Sequence, residues 1–406
     1  MNKKVIAGAL TLGVGVALGW WWKGDEVVRL SNVNTLFDEA KIVENFSNMD
    51  GLFLTRDMEV GTLPAFPEAM APLPEQVGIG GEARDLATFL EETDTTSLLV
   101  LKDGTIVFEE YYQGTGQDDQ RISWSVAKSF LSALVGRAIG DGSLPGVDVQ
   151  VVDYVPELKG TAYEGATLRN VLNMASGVRF NEDYFDPDSD INRMGRELAL
   201  GGSLDAFSEE LVERAFEPGT SNQYVSIDTH VIGRVLRAAT GRSVYDLFEE
   251  AYRPIGLGPV TYMTDGEGEA FVLGGLLMTT RGYGAFGQLF LQDGQWEGEQ
   301  IIPADWVAES TAISAPPVYG GPAANGGRAY GYQWWMLPDQ IESGYGDYFA
   351  NGIYGQTVYV NPALDVVVVK TSADRQFRET GPSGTGWQVE TIEMMRGLAE
   401  HYASQA

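Results

Sequence analysis

Ser125 and Lys128 stand three positions apart in the run Ile122-Ser123-Trp124-Ser125-Val126-Ala127-Lys128-Ser129-Phe130. On a helix, positions i and i+3 share a face, so the amine reaches the hydroxyl without help from distant chain. A serine in a helix's first turn also gains the free N–H groups and partial positive charge found there. These are the requirements of acyl transfer by a Ser/Lys pair. Rival ways of activating a nucleophile are scarce. The chain has no cysteine and two histidines, His230 and His401, which removes thiol nucleophiles, Cys-ligated zinc and disulfide scaffolds. Neither a His-Glu-x-x-His run nor a Gly-x-Ser-x-Gly elbow occurs. Both histidines read as structural, because a triad also needs a placed carboxylate.

Ser-x-x-Lys by itself is weak. Eight lysines and 21 serines in 406 residues would produce roughly 0.4 matches by chance. The one that occurs opens a helix just after a hairpin, and that context favours chemistry. A second element is Glu217-Pro218-Gly219-Thr220-Ser221-Asn222-Gln223-Tyr224-Val225-Ser226. Pro218-Gly219 makes a turn, and Tyr224 falls just before a helix that Ser226 is placed to cap. A tyrosine at such a junction ordinarily packs. Beside a Ser/Lys pair it has a use: an ammonium favours its phenolate, which takes the Ser125 proton and returns it to a leaving group. Alternatively a desolvated Lys128 is the base and Tyr224 relays the proton. A third element, Asn351-Gly352-Ile353-Tyr354-Gly355-Gln356, puts glycines beside a strand, where another backbone or a ligand can approach closely. An N–H here would join that of Ser125 in an oxyanion hole.

The positioning elements follow from periodicity. Ala83–Glu92 predicts a helix through Leu86, Phe89 and Leu90, and Ser97–Lys102 with Thr105–Tyr112 flank Asp103-Gly104, a hairpin signal. The Ser125–Gly140 helix carries a wide apolar stripe of Ala127, Phe130, Leu131, Leu134, Val135 and Ala138, which holds Ser125 rigidly against a core. Further helices are predicted over Leu168–Met174, Ser226–Thr240 and Val244–Tyr252. Strands are predicted over Tyr330–Leu337, Thr357–Val360 and Val366–Thr371, with a turn at Asn361–Asp365 and a closing helix at Trp387–Tyr402. Strands at both ends with helices between predict an α/β (α+β) fold: one antiparallel sheet covered by terminal helices and interrupted by a helical subdomain over about 145–325.

Residues 25–80 read as an extension ending in a Pro-rich connector, Gly61–Glu75, with the compact domain over 81–402. The net charge of -30 argues against nucleic acid, since phosphate contacts need clustered Lys and Arg; it reads as a solvated acidic surface. Lys3-Lys4, the uncharged run Val5–Trp22 and Lys23 predict a membrane anchor over 1–24, long enough as a helix to cross a bilayer's hydrocarbon. The alternative is a signal peptide cut near Ala17-Leu18-Gly19. Either predicts export, to the periplasm if tethered to an inner membrane.

Taken in order, Ser125-Val126-Ala127-Lys128, Tyr224-Val225-Ser226 and Ile353-Tyr354-Gly355 resemble the class C β-lactamase and penicillin-recognising serine hydrolases. Leu172-Asn173-Met174-Ala175-Ser176-Gly177-Val178 and the segment from Asn361-Pro362 to Val369 extend the likeness, which is nearest the 6-aminohexanoate-dimer hydrolase and esterase branch. The resemblance implies a β-lactamase/transpeptidase-like fold, Ser125 as acylated nucleophile, Lys128 as activator and Tyr224 as proton shuttle. It implies an oxyanion hole from the N–H groups of Ser125 and Gln356, with Gly355, Ser226 and Ile353 in the surrounding motifs, and Tyr184 of Asn181-Glu182-Asp183-Tyr184 touching substrate. It implies no metal and no organic cofactor. Two departures matter: Ser226 stands where β-lactamases of this family have asparagine, and Ile353 where they have a lysine that meets the drug's carboxylate. The expected substrate is therefore a small ester or amide with a neutral or cationic acyl portion. The rivals are a β-lactamase or penicillin-binding protein, and a binding module of this fold that has lost turnover.

Overall fold

The computed structural model describes residues 28–377 and 385–405. The anchor or signal expected over 1–24 lies outside them. Among the described residues, no helix is long and apolar enough to cross a membrane.

Seven strands form the main sheet: β1 Thr95–Lys102, β2 Thr105–Tyr111, β3 Ala329–Tyr330, β4 Trp335–Met336, β5 Tyr348–Gly352, β6 Gln356–Asn361 and β7 Val366–Ser372. Four helices frame the site: α1 Ala127–Gly140, α2 Ser226–Thr240, α3 Thr280–Leu291 and α4 Thr385–Ala403. The sheet order is β3-β4-β5-β6-β7-β1-β2, with every neighbouring pair antiparallel. The hairpin between β1 and β2 turns on Asp103 (φ 49°) and Gly104 (φ 71°), the two left-handed residues that a type I′ turn requires. The predicted Tyr330–Leu337 strand is instead a tight hairpin of β3 and β4, because Gln333 takes φ 65° between them.

Strand β7 reads Val366-Val367-Val368-Val369 with no alternation, and all seven of its residues are buried. The reason is that both faces of the sheet are covered. Leu98 and Val100 of β1, with Val366 and Val368 of β7, pack in one core with Ile392, Met395 and Leu398 of α4. Leu99 and Leu101, with Val367 and Val369, face the other core with Phe286 and Leu289 of α3. A strand buried on both sides loses its polar period. Helix α3 lies close on the sheet: a Cβ at Gly287 would fall 2.6 Å from Val367 Cγ1.

Within the stretch of about 145–325, helices run as far as Val244–Tyr252 and recur over Thr280–Leu291 and Ala304–Ser310. Between them, strands Val260–Met263 and Leu276–Met278 join Thr55–Met58 and Arg121–Ile122 in a second, four-stranded sheet. The described part of the N-terminal segment, from residue 28 on, packs into the body of the fold. Leu36, Ile42, Phe46, Met49 and Phe53 sit in the larger core, and the Pro-rich connector runs beside β2, with Ala69 and Ala71 N–H donating to Ile106 and Val107. Ile42, Phe46, Met49 and Phe53 fall four, three and four positions apart, a helical period, but the partners that bury them lie far along the chain.

Candidate active site

Ser125 occupies a 3₁₀ turn, Trp124–Val126, between the strand Arg121–Ile122 and α1. The turn is pinned from one side. Ser123 N–H donates to Leu276 O at 2.7 Å, and Ser123 Oγ accepts from Leu276 N–H at 3.2 Å. Trp124 adopts φ 42°, a conformation that a bulky residue takes only when its surroundings impose it. Here the indole packs against Phe37 at 5.8 Å and Phe46 at 5.6 Å between ring centroids, so the N-terminal segment holds the turn that carries Ser125. Lys128 follows as the second residue of α1, buried, with Nζ donating to Leu273 O at 2.6 Å.

Tyr224 arrives from the loop before α2, with Val225 as the residue preceding the helix. Gln223 N–H donates to Met174 O at 2.8 Å. Asn222 Nδ2 donates to Asn173 O at 2.7 Å, and Asn325 Nδ2 donates to Asn222 Oδ1 at 2.6 Å. The Asn173-Met174 segment thus fixes the loop that presents the phenol. Tyr224 stacks on Trp335 at 5.5 Å and meets the edge of Tyr330 at 6.2 Å. Its hydroxyl feels the Ser125 side chain, both residues line one cleft, and Lys128 Nζ lies 5.6 Å from the Tyr224 ring centroid. Hydroxyl, amine and phenol converge, although the last is 99 positions from Ser125 (224 − 125).

The third wall is the turn joining β5 to β6. Gly352 and Gln356 are paired across it; between them Ile353–Gly355 form a 3₁₀ turn with Tyr354 at φ 59°. A Cβ at Gly352 would fall 2.5 Å from Ser123 O and 3.1 Å from Ser125 N, so a glycine is what lets this strand end lie against the backbone at Ser125. A cleft of about 610 Å³ opens over these walls, lined by Ser125, Tyr184, Tyr224, Arg328, Trp335 and Ile353 among others.

Residues 83–385 match the family described as Beta-lactamase. The chain belongs to the Beta-lactamase family. It is 30% identical over 300 residues to the 6-aminohexanoate-dimer hydrolase of Paenarthrobacter ureafaciens, covering 71% of this chain and 75% of that relative. A solved structure from Bacillus anthracis, provisionally assigned as a 6-aminohexanoate-dimer hydrolase, superposes with a TM-score of 0.77 at 23% identity, over 91% of this chain and 96% of that one. The D-stereospecific amidohydrolase from Streptomyces sp. superposes at 0.56 and 17% identity, over 72% and 95%. The last two establish the fold. This Beta-lactamase-family chain is a hydrolase, similar to 6-aminohexanoate-dimer hydrolases.

The electrostatics of its cleft are set by burial. Desolvation pulls the Lys128 amine down to about 7, against the opposing pull of Glu182 and Asp228. Burial also lifts Asp228 to about 8 and raises Glu182. The Tyr224 phenol is pushed above its ordinary value, first by burial and then by Glu182, which keeps it protonated.

Of the residues expected from sequence, Ser125, Tyr184, Tyr224 and Ile353 line the cleft, while Lys128, Ser226, Gly355 and Gln356 do not. Lys128 lies behind Ser125. Ser226 is turned inward: its N–H donates to Glu182 Oε2 at 3.0 Å and its Oγ to Glu182 Oε1. Gly355, at φ 86°, faces Ser372. The Gln356 side chain is engaged with Tyr354 O and Ser372 O at 3.1 and 2.8 Å, leaving its backbone as the part relevant to a ligand. Tyr184 Oη donates to Glu182 Oε1 at 2.8 Å. His230 is structural, paired with Asp205 at 2.6 Å. Sequence reasoning missed Glu182, Asp228 and Arg328. Glu182 had a signal, standing within the Asn181–Tyr184 run already singled out. Asp228 looked like an ordinary first-turn acid, and Arg328 had no local signal at all.

Proposed function

We propose that this hydrolase cleaves a small ester or amide through an acyl-enzyme on Ser125. The observation that carries the reading is that Tyr224 and Ser125 line one cleft, with the buried Lys128 amine 5.6 Å from the Tyr224 ring. Neutral Lys128 accepts the Ser125 proton as Oγ attacks the substrate carbonyl. The oxyanion is received by the N–H groups of Ser125 and Gln356. The carbon–heteroatom bond then breaks, and the leaving amine or alkoxide takes a proton from the Tyr224 hydroxyl, which Lys128 replenishes. Water adds to the acyl-serine and gives its proton back along the same groups, releasing the acid. Of the two proton routes open from sequence, a raised phenol and a lowered amine favour Lys128 as first base. Amide cleavage is supported by the name of the Paenarthrobacter relative, a dimer hydrolase of 6-aminohexanoate.

The test is hydrolysis of p-nitrophenyl acetate by wild type and Ser125→Ala, with fluorophosphonate labelling of each. The variant should lose at least about a thousandfold in kcat/KM, as residues acting as a unit do, and should not label. Equal rates in the two proteins would refute the assignment of Ser125.

A further inference from the structure

Among the described residues two lysines are buried, Lys128 and Lys370, each 1% exposed. Lys128 serves the reaction; Lys370 has no part in it so far. It stands in β7, directly after the four valines at 366–369, in a layer that apolar side chains fill well. A buried amine is costly there, and an apolar replacement is often neutral or stabilising, so stability alone does not account for it. The acids that act on it, Asp374 and Asp94, are engaged elsewhere: Asp94 pairs with Arg375, and Asp374 Oδ1 accepts from Gln376 N–H at 2.9 Å. Lys370 Nζ instead donates to Ser372 Oγ, a bond that the amine makes in either protonation state.

From Ser372 the contacts run to the site. Its backbone holds both ends of the Gln356 carboxamide: Ser372 N–H donates to Oε1 at 3.1 Å, and Nε2 donates to Ser372 O at 2.8 Å. The same Nε2 donates to Ile353 O and Tyr354 O at 3.3 and 3.1 Å, which ties the turn at 353–355 to β7. The turn lies flush on the pair, since a Cβ at Gly355 would fall 2.9 Å from Ser372 Cβ and 3.5 Å from Lys370 Nζ. We propose that Lys370 is a positioning residue, which through Ser372 fixes the turn that presents the Gln356 N–H to the substrate's developing oxyanion. The inference rests on the acyl-enzyme reading, in which that N–H and the one of Ser125 receive the charge, and a donor of this kind acts only when correctly placed.

The experiment compares p-nitrophenyl acetate with its thionoester, in which sulfur replaces the carbonyl oxygen, in wild type, Lys370→Met and Ser372→Ala. Sulfur is larger and accepts hydrogen bonds weakly, so a well-placed donor favours the oxygen ester. Both variants should lose about ten- to a hundredfold in kcat/KM on the oxygen ester and much less on the thionoester, so the oxygen-to-sulfur preference collapses. Phenylboronic acid, whose tetrahedral adduct on Ser125 places an oxygen where the oxyanion forms, should bind more weakly by a similar factor. The double variant should be little worse than either single one, because both residues act through one contact. If Lys370→Met is insoluble, Ser372→Ala decides by the same ratio. Equal slowing of the two esters overturns the proposal, because the pair would then support only the fold, and so does an unchanged rate on the oxygen ester. A wild type without oxygen preference, or hydrolysis that survives Ser125→Ala, removes the acyl-enzyme reading itself and this proposal with it.

Discussion

The Lys128 amine makes the sharpest quantitative expectation, and pH is the perturbation that probes it. An amine with the ordinary lysine value of 10.5 would be unprotonated in only about one molecule in 3,000 at pH 7, whereas one lowered to about 7 is unprotonated in about half. Burial therefore supplies a gain of roughly a thousandfold in available base. The sign follows directly. Below pH 7 the amine is charged and cannot accept the Ser125 proton, so kcat/KM should fall about tenfold per unit, reaching roughly a hundredth of its maximum at pH 5. Above pH 7 it should level off. The plateau should persist to pH 9, because the Tyr224 phenol is held above its ordinary value and does not ionise there. The assay is p-nitrophenyl acetate, which carries no titrating group, with Ser125→Ala subtracted as background at each pH. Lys128→Ala should drop activity by about three orders of magnitude and remove the inflection. A wild-type profile flat from pH 5 to 9, or one still climbing through pH 9, would refute Lys128 as a desolvated base.

Two substitutions test the positioning of the site. Gly352→Ala places a methyl 2.5 Å from Ser123 O and 3.1 Å from Ser125 N, both backbone atoms that cannot rotate away. Displacing the nucleophile by a fraction of an ångström should lower kcat/KM by about ten- to a hundredfold with the circular dichroism spectrum retained, and activity within twofold of wild type would contradict the contact. Phe46→Ala removes a fully buried ring that meets Phe37, Trp124 and Tyr354 at 6.2, 5.6 and 5.5 Å. It should cost about 3–5 kcal/mol in urea unfolding and also slow catalysis, since Trp124 carries Ser125. A loss under 1 kcal/mol would mean that the N-terminal segment does not brace the site.

Much of the architecture was legible locally. The helices Ser226–Thr240 and Val244–Tyr252 fall where their apolar period places them, and Asp103-Gly104 turns the hairpin that its dipeptide predicts. Boundaries slipped where tertiary contacts decide. Helix α1 begins at Ala127, not Ser125, because Ser123 is tied to Leu276 and Ser125 sits in a tighter turn. Ile42, Phe46, Met49 and Phe53 carried a helical spacing, but what buries them is a set of rings and strands far along the chain.

Residue types and spacing alone established that a hydroxyl and an amine share one helix face, that no thiol chemistry is available, and that a tyrosine and a glycine-flanked strand were available to join them. These are short-range facts, set by helical pitch and composition. Whether Tyr224 reaches Ser125, whether Lys128 is dry enough to be neutral, and that Arg328 enters the cleft without a counter-ion were decided by packing. Desolvation and charge pairing depend on every neighbour in space, and a linear order of residues does not contain those neighbours until the chain has folded.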